Sequence, residues 1–331
     1  MGPAALEGNA VILRTFLPLT VFGAALAAAE GPASDSGPRV ILVAGAVGDP
    51  EFAPDFEAQI AAWTRTGREA SARFSVLGRE GDGATADRER LRETLAAEPK
   101  DGSAELWLVL VGHGTFDGRE AKLNLRGPDV SAPELADWLK PFSRPVAVVH
   151  TTSSSAPFLA KLAAPGRVIV SATRSGNEQN YARFGKYFAE ALADRASDLD
   201  RDGQISLLES FLSAANRTAE FYKTEGRLAT EHPLIEDNGD GMGTPPDWFR
   251  GVLAVKRAAD GAPADGTRAH QLHLVRSAAE QALSSEARSR RDDLERRLSA
   301  LRTRKDKLPE VDYLRELESI LLALADVYQG R

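Results

Sequence analysis

Residues 198–209 place oxygen-bearing side chains at the spacing of a twelve-residue calcium loop. Asp198, Asp200 and Asp202 stand at loop positions 1, 3 and 5, where an EF-hand has carboxylates. A glycine follows at position 6, where the loop turns sharply, and a glutamate closes the pattern at position 12. Calcium takes about six to eight oxygen ligands, which this pattern supplies. The predicted calcium ligands are Asp198, Asp200, Asp202, Gln204, Ser206 and Glu209.

Only one complete loop of this kind is evident, so we expect it to stabilise a helix–loop–helix rather than to act as a sensor. An acidic, solvated loop between two helices is the alternative. A second acidic turn, Glu236–Gly241, has a similar composition but lacks a closing glutamate at the right spacing. A second metal site over Asp237–Asp240 and a glycine-rich surface turn are both compatible with it.

His113 follows directly on an apolar run, Leu106–Val111, and is flanked by two glycines. A short apolar run bounded by glycine is typical of a strand buried on both faces. In open α/β sheets ligands bind beyond the carboxyl ends of the strands, which is where this histidine would lie. A polar histidine in a tight turn is the alternative interpretation.

Strand-like runs alternate with segments of helical spacing over residues 39–193. The runs typical of buried strands are Arg39–Gly45, Leu106–Val111, Val146–Val149 and Arg167–Ala172. Apolar residues three or four apart predict helices between them, as over Phe56–Trp63 and Ala182–Ala193. Such alternation gives a mostly parallel sheet flanked by helices on both faces, so we predict an α/β fold.

Two strand ends resemble motifs of the caspase–legumain clan of cysteine peptidases. In that family a central strand ends in His-Gly, which His113-Gly114 matches. The next parallel strand of the family ends in Ala-Cys-x-Ser-Gly, and the segment Thr152–Ala156 occupies that frame. The resemblance covers roughly 39–192 and implies a caspase-like sheet with a peptidase site at these two strand ends. It also implies that the backbone N–H of Gly114 donates to an oxyanion.

The nucleophile is where the chain departs from the family. Ser153 stands where the family has cysteine, and Ala156 stands where it has glycine. A thiol has a pKa near 8.5, so a neighbouring histidine can help to form the thiolate. A serine hydroxyl ionises far less readily and requires concerted base catalysis, usually with a third group that orients the histidine. Because the thiol is absent, a loss of cysteine-peptidase chemistry is predicted, and no third member that would orient His113 for serine catalysis is clear in the sequence.

The loop after Arg167–Ala172 offers candidate substrate-binding residues. Arg174 and Glu178 would line the old substrate cleft if the resemblance holds. A salt-bridged surface loop is the alternative interpretation of this pair.

The C-terminal part of the chain changes in character after a linker rich in alanine and glycine. His270–Lys307 is predicted as one long charged helix, and Val311–Tyr328 as a second helix with leucines on one stripe. The two would form an antiparallel hairpin, either as a solvated face or as an appendage for oligomerisation or docking. The predicted division is a signal peptide over 1–29, a linker over 30–38, the α/β domain over 39–250, a linker over 251–269 and the hairpin over 270–331.

Composition and the amino-terminal sequence restrict the function classes. The chain has 331 residues, a net charge of −7 and no cysteine, which argues against nucleic acid and excludes disulfides, thiolate metal sites and a cysteine nucleophile. Arg14 precedes the apolar stretch Thr15–Leu26, and the alanines at 27–29 suit cleavage, so we expect secretion or periplasmic export. The stretch is shorter than the roughly 20 apolar residues of a spanning helix, so no stable membrane anchor is expected. A disordered alanine-rich leader is the alternative.

Three hypotheses follow for the whole protein. The first is an exported, calcium-binding peptidase homologue, without cysteine-peptidase activity, that binds a peptide or protein in its cleft or assembles through its C-terminal helices. The second is an active hydrolase with a Ser153–His113 dyad. The third is an unrelated flavodoxin-like α/β domain, which a sheet separating the strands of His113 and Ser153 would favour.

Overall fold

A computed structural model of the chain describes residues 1–2, 37–79, 86–256 and 264–329. The predicted signal peptide lies almost entirely outside these described residues. Among the helices of the described ranges, none combines the length and the apolar character needed to cross a membrane.

Eleven strands and ten α-helices make up the described part of the chain. The strands are β1 Arg39–Ala44, β2 Arg73–Leu77, β3 Leu106–Val111, β4 Gly114–Phe116, β5 Ala121–Leu123, β6 Val130–Ser131, β7 Val146–His150, β8 Arg167–Ser171, β9 Leu234–Glu236, β10 Phe249–Arg250 and β11 Leu253–Ala254. The helices are α1 Ala53–Glu69, α2 Asp87–Ala97, α3 Ala132–Leu139, α4 Ala156–Leu162, α5 Phe184–Ala191, α6 Leu207–Thr224, α7 Thr267–Gln271, α8 Ala278–Ala282, α9 Ser285–Thr303 and α10 Glu310–Tyr328.

The main sheet has six strands in the order β2-β1-β3-β7-β8-β9. Five of them are parallel to their neighbours, and β9 pairs antiparallel with β8 at one edge. The predicted α/β class with a mainly parallel sheet is therefore confirmed. Because β3 is central, its side chains enter two separate cores, Trp107 and Val109 on one face and Leu106 and Leu108 on the other.

A small antiparallel sheet of β4, β5 and β6 follows directly on β3. The turn between β4 and β5 contains Asp117 and Gly118, a pair that favours tight hairpin turns. The side chain of Ser131 caps α3 by accepting a hydrogen bond from the backbone N–H of Glu134, whose carboxylate bonds back to Ser131. This capping box is predictable from the two residue types and their spacing.

The single helix predicted over His270–Lys307 is wrong, because the chain leaves helical geometry twice. After α7, the backbone extends and His273 forms an antiparallel bridge with Ser206, beside the calcium-loop segment. Leu272 and Leu274 are buried in the core of the α/β domain, and this burial favours the extended backbone over continued helix. New helices then begin at the N-caps Ser277 and Ser284.

The predicted linker over 251–269 is described only in part, and its second half is not exposed. Asp265 is 2% exposed and Ala269 is fully buried in a core of the α/β domain. The packing of α7 against α6 continues this contact, so residues 264–274 belong to the folded domain rather than to a linker. Beyond them, α9 and α10 pack along each other around their own small core.

Candidate functional site

The strands that carry the predicted catalytic residues are neighbours. β3 and β7 pair in parallel, with Leu110 opposite His150, so the turns after both strands meet at the carboxyl edge of the sheet. The two turns approach so closely that a Cβ atom at Gly114 would lie 2.3 Å from the carbonyl oxygen of Ser153. Glycine at 114 is thus required by packing, a reason independent of catalysis.

Ser153 is held by the backbone of Gly114. Its hydroxyl donates to the Gly114 carbonyl at 3.0 Å and accepts from the Gly114 N–H at 3.2 Å, and the residue is 2% exposed. The N–H predicted to stabilise an oxyanion is therefore engaged by the predicted nucleophile itself.

His113 lies half-buried beside an aromatic cluster instead of on Ser153. Its Nε2 is 3.0 Å from the carbonyl oxygen of Val47, which can only accept, so Nε2 carries the proton. The rings of Phe52, Phe56 and Tyr181 pack around the imidazole. Burial lowers the pKa of His113, so the ring is neutral at pH 7. No hydrogen bond joins His113 to Ser153 in the described ranges.

Five consecutive hydroxyl residues after β7 are buried together. We call Thr151–Ser155 the hydroxyl segment, and none of its residues is more than 3% exposed. Ser154 has a positive φ of 54°, and its Oγ has no hydrogen-bond partner among the described residues. Strain of this kind in a buried polar segment is frequent at functional sites. Five consecutive hydroxyl residues after an apolar strand were the available signal.

Glu178 links the hydroxyl segment to the loop before β9. Its carboxylate accepts hydrogen bonds from the backbone N–H groups of Arg174, at 3.0 Å, and His232, at 3.2 Å, and lies 2.6 Å from Nδ1 of His232. Its carbonyl oxygen accepts from the N–H of Ser154. Arg174, whose side chain is 61% exposed, also forms an ion pair with Glu178 at 3.4 Å, as the alternative of a salt-bridged surface loop would have it. The contribution of His232 carried no signal in the sequence.

The three aspartates of the predicted calcium loop converge. Carboxylate oxygens of Asp198, Asp200 and Asp202 all lie within 4.8 Å of one another, the only such acidic group in the described part of the chain. The loop lies between α5 and α6, which pack against each other. The loop also contacts the C-terminal segment, since Nε2 of His270 lies 3.3 Å from Oδ2 of Asp200.

The other three predicted ligands are turned toward the protein. The Glu209 carboxylate is fully buried and accepts from the N–H of Leu199, at 2.7 Å, and from the N–H and hydroxyl of Ser206, both at 2.8 Å. Gln204 contacts Asp202 and accepts a hydrogen bond from the N–H of Ser277. Glu209 therefore closes the loop through hydrogen bonds to its own backbone.

The second acidic turn does not gather its carboxylates. Asp237 accepts from the N–H groups of Arg268 and Ala269 and so caps α7, while Asp240 accepts from the N–H of Met242. Within the described residues these carboxylates form no group suited to a metal ion. A structural turn that anchors the C-terminal segment accounts for their positions.

Glu236 is expected to make the protein less stable as the pH rises from about 4.5 to about 7. Its side chain is fully buried, and its Oε2 has no partner among the described residues. Burial raises the pKa of Glu236 to about 7, and the nearby Asp237 and Asp240 add to the rise. Between the unfolded and folded pKa values the folded state binds more protons, so the free energy of unfolding falls as the pH increases.

The isosteric variant Glu236→Gln tests this expectation. We expect its free energy of unfolding at pH 8 to exceed that of the wild type by about 1–3 kcal/mol, with little gain at pH 4. Urea unfolding at both pH values measures the difference, and the exposed Glu318→Gln on α10 is the control. A variant less stable than the wild type at pH 8 would show that the buried charge is compensated.

Three solved structures resemble the chain at low sequence identity. The initiator caspase Dronc of Drosophila is 13% identical with a TM-score of 0.37, and the match covers 62% of this chain and 81% of that chain. Protein GSU0716 from Geobacter sulfurreducens is 12% identical with a TM-score of 0.41, covering 63% and 98%. Caspase-1 from Spodoptera frugiperda is 11% identical with a TM-score of 0.39, covering 61% and 86%. No family model and no curated protein sequence matches the chain.

Proposed function

We propose that this protein is an exported, calcium-binding homologue of caspase/legumain-like peptidases that binds a peptide or protein without cleaving it. The placement of the two motifs supports the relationship, because His113-Gly114 and the hydroxyl segment follow neighbouring parallel strands. The parallel strands β2-β1-β3-β7-β8 follow an order that flavodoxin-like sheets share, so the two strand-end motifs, and not the strand order, favour the peptidase relationship over an unrelated flavodoxin-like domain. Export rests on the sequence of residues 1–29 alone.

The burial and the hydrogen bonds of Ser153 are the main support for the proposal that the protein is not a peptidase. A nucleophile must reach its substrate and pass its proton to a base within hydrogen-bond distance. Ser153 is buried and bonded to both polar backbone groups of Gly114, and His113 is bonded to Val47. Serine catalysis would require breaking both contacts of Ser153 and exposing it. The active Ser153–His113 hydrolase is therefore the weaker hypothesis.

Calcium binding is supported by the convergence of three carboxylates at the first, third and fifth positions of the loop. Without a cation, three negative charges at this separation repel one another. Asp198, Asp200 and Asp202 would hold the ion. The pattern also predicts oxygens from Gln204, Ser206 and Glu209, and the Glu209 carboxylate would have to exchange its hydrogen bonds with Leu199 and Ser206 for the ion. Because α5 and α6 flank the loop, the bound ion would stabilise their packing in the folded domain.

We propose that a cavity of 280 Å³ at the carboxyl ends of β1 and β3 binds a peptide or protein, although Arg174 and Glu178, the residues predicted to line the cleft, are not part of its lining. Apolar side chains of Val47, Phe56 and Ile60 line it, and the charged Glu57 and Arg79 lie at its rim. Such a mixture of apolar walls and few polar groups is typical of ligand pockets.

Self-association through the C-terminal helices is the second proposed mode of action. α10 exposes five large hydrophobic side chains, each at least 48% accessible: Val311, Leu314, Leu321, Leu322 and Tyr328. An exposed apolar face on a helix is typical of an interaction surface. The exposure of Leu314 and Leu321 also divides the predicted leucine stripe, since Leu317 and Leu324 pack toward α9.

A degenerate peptide mixture tests the binding role against the catalytic one. We expect the purified protein with calcium to leave the mixture uncleaved by mass spectrometry while retaining a subset of peptides on a size-exclusion column. Cleavage products that disappear with Ser153→Ala would overturn the proposal in favour of the hydrolase.

A further inference from the structure

A second cavity, of 390 Å³, lies at the amino edge of the sheet, remote from the strand ends discussed above. Glu105, Pro145 and Val168, at the starts of β3, β7 and β8, form one wall. The other wall is the C-terminal segment from α7 to α9. The charge of this cavity is unrelated to the peptidase resemblance, so a site here is independent of the proposed function.

Arginines dominate the lining of this cavity. It contains five arginines and three carboxylates, an excess of two positive charges. The arginines are Arg268, Arg276, Arg288, Arg291 and Arg296, and the carboxylates are Glu105, Glu280 and Asp292. The protein as a whole carries a net charge of −7, so this cavity is positively charged in a protein that is negatively charged overall.

The three carboxylates are paired with only two of the arginines. Arg276 forms an ion pair with Glu105. Arg291 forms ion pairs with both Glu280 and Asp292, the latter at 2.7 Å. Together these five residues carry a net charge of −1, so the positive charge of the cavity comes from the three remaining arginines.

Among the described residues, the remaining arginines form no close ion pair with a carboxylate of the cavity. The guanidinium of Arg268 makes no hydrogen bond to the described residues, and its neighbour Arg296 bonds to Gln271 and pairs at 3.5 Å with the exposed Asp293 outside the cavity. Arg288 donates to two backbone carbonyl oxygens, which carry no net charge. Burial lowers the pKa of Arg268 and the like charge of Arg296 lowers it further, against the weaker attraction of Asp237 and Asp292. Adjacent, partly buried cations are costly unless an anion lies between them.

We propose that this cavity binds the phosphate group of a small molecule, with Arg268, Arg288 and Arg296 as its ligands. The planar guanidinium group presents paired N–H donors that match phosphate oxygens, and it keeps its charge when partly buried. The cavity volume lies within the range of about 300–1,000 Å³ typical of small-molecule sites. Inorganic phosphate and phosphomonoesters share this chemistry.

Thermal unfolding in matched salts tests the proposal. We expect about 10 mM inorganic phosphate to raise the melting temperature by at least about 2 °C relative to sodium chloride of equal ionic strength. Glycerol phosphate in a parallel sample distinguishes a phosphomonoester site, which gives the larger shift, from a site for the free ion. Equal melting temperatures in all three salts would overturn the proposal.

Two variants and a control locate the effect. Arg268→Gln removes one of two neighbouring like charges, so it is expected to melt no lower than the wild type in chloride and to lose the phosphate shift. Arg288→Gln is expected to reduce the shift, and it serves if the first variant does not fold. Arg297→Gln, exposed on the same helix outside the cavity, is expected to keep the full shift. A phosphate shift that survives Arg268→Gln and Arg288→Gln would refute the assigned site.

Discussion

Calcium at about 1 mM is expected to raise the melting temperature of the protein by about 5–10 °C over a chelated sample. A ligand present at 100 times its dissociation constant stabilises the folded state by about 2.7 kcal/mol, and each kcal/mol shifts the melting temperature of a domain this size by about 2–4 °C. The gain has a structural source, because the ion would relieve repulsion among Asp198, Asp200 and Asp202. Differential scanning calorimetry with calcium, magnesium and chelator measures it.

Variants of the loop test whether the calcium shift arises from binding at Asp198, Asp200 and Asp202. Asp198→Asn removes the first carboxylate at nearly constant size and is expected to lose most of the calcium shift. Glu209→Gln is expected to lose it too, but to destabilise the protein without calcium as well, because the carboxylate accepts several hydrogen bonds within the loop. The exposed Glu318→Gln is the matched control. If calcium leaves the melting temperature of the wild type unchanged, the proposal that this loop binds calcium is wrong.

A cysteine introduced at position 153 is expected to react with iodoacetamide at least about 100-fold more slowly than one at position 115. The chain has no native cysteine, so Ser153→Cys and Thr115→Cys each carry a single thiol. Ser153 is 2% exposed, and alkylation there requires local opening; about 3 kcal/mol of opening free energy gives the factor of 100. Thr115 is exposed on the neighbouring strand β4 and therefore serves as the control.

The same experiment distinguishes a closed site from a catalytic one. If His113 activated position 153, the Ser153→Cys thiol would react faster than the exposed control, with a pKa below the ordinary 8.5 in its pH profile. Unfolding the variant in urea should restore full reactivity, which shows that the thiol is intact. Melting curves of both variants check that they are folded. Rapid alkylation of folded Ser153→Cys would contradict the burial of this position.

Local pattern was sufficient to predict the sheet and the convergence of the three aspartates. β3 has six consecutive apolar residues because both its faces are buried, and that leaves a signal in any sequence. The carboxylates of Asp198, Asp200 and Asp202 converge because the three residues alternate along one short loop, so their spacing in the sequence is enough to predict that they meet. Interactions confined to one segment are visible in its residue types.

Contacts between distant segments were not predictable in the same way. The orientation of Ser153 depends on the close approach of Gly114, which the register of β3 against β7 determines. The break after α7 depends on Leu272 reaching the core of the α/β domain, although its own neighbourhood has helical composition. Glu178 and His232 are 54 residues apart, and nothing in either local sequence indicates their contact.

Labelling with a fluorophosphonate probe, which reacts only with activated serine hydroxyls, tests most directly whether the protein catalyses serine-dependent hydrolysis. The protein is incubated with the probe in the presence and absence of calcium, and modified peptides are identified by mass spectrometry. The burial of Ser153 and its hydrogen bonds to Gly114 predict no label on Ser153 in either condition. Label on Ser153 that is lost in His113→Ala would contradict the account and establish the protein as a serine hydrolase.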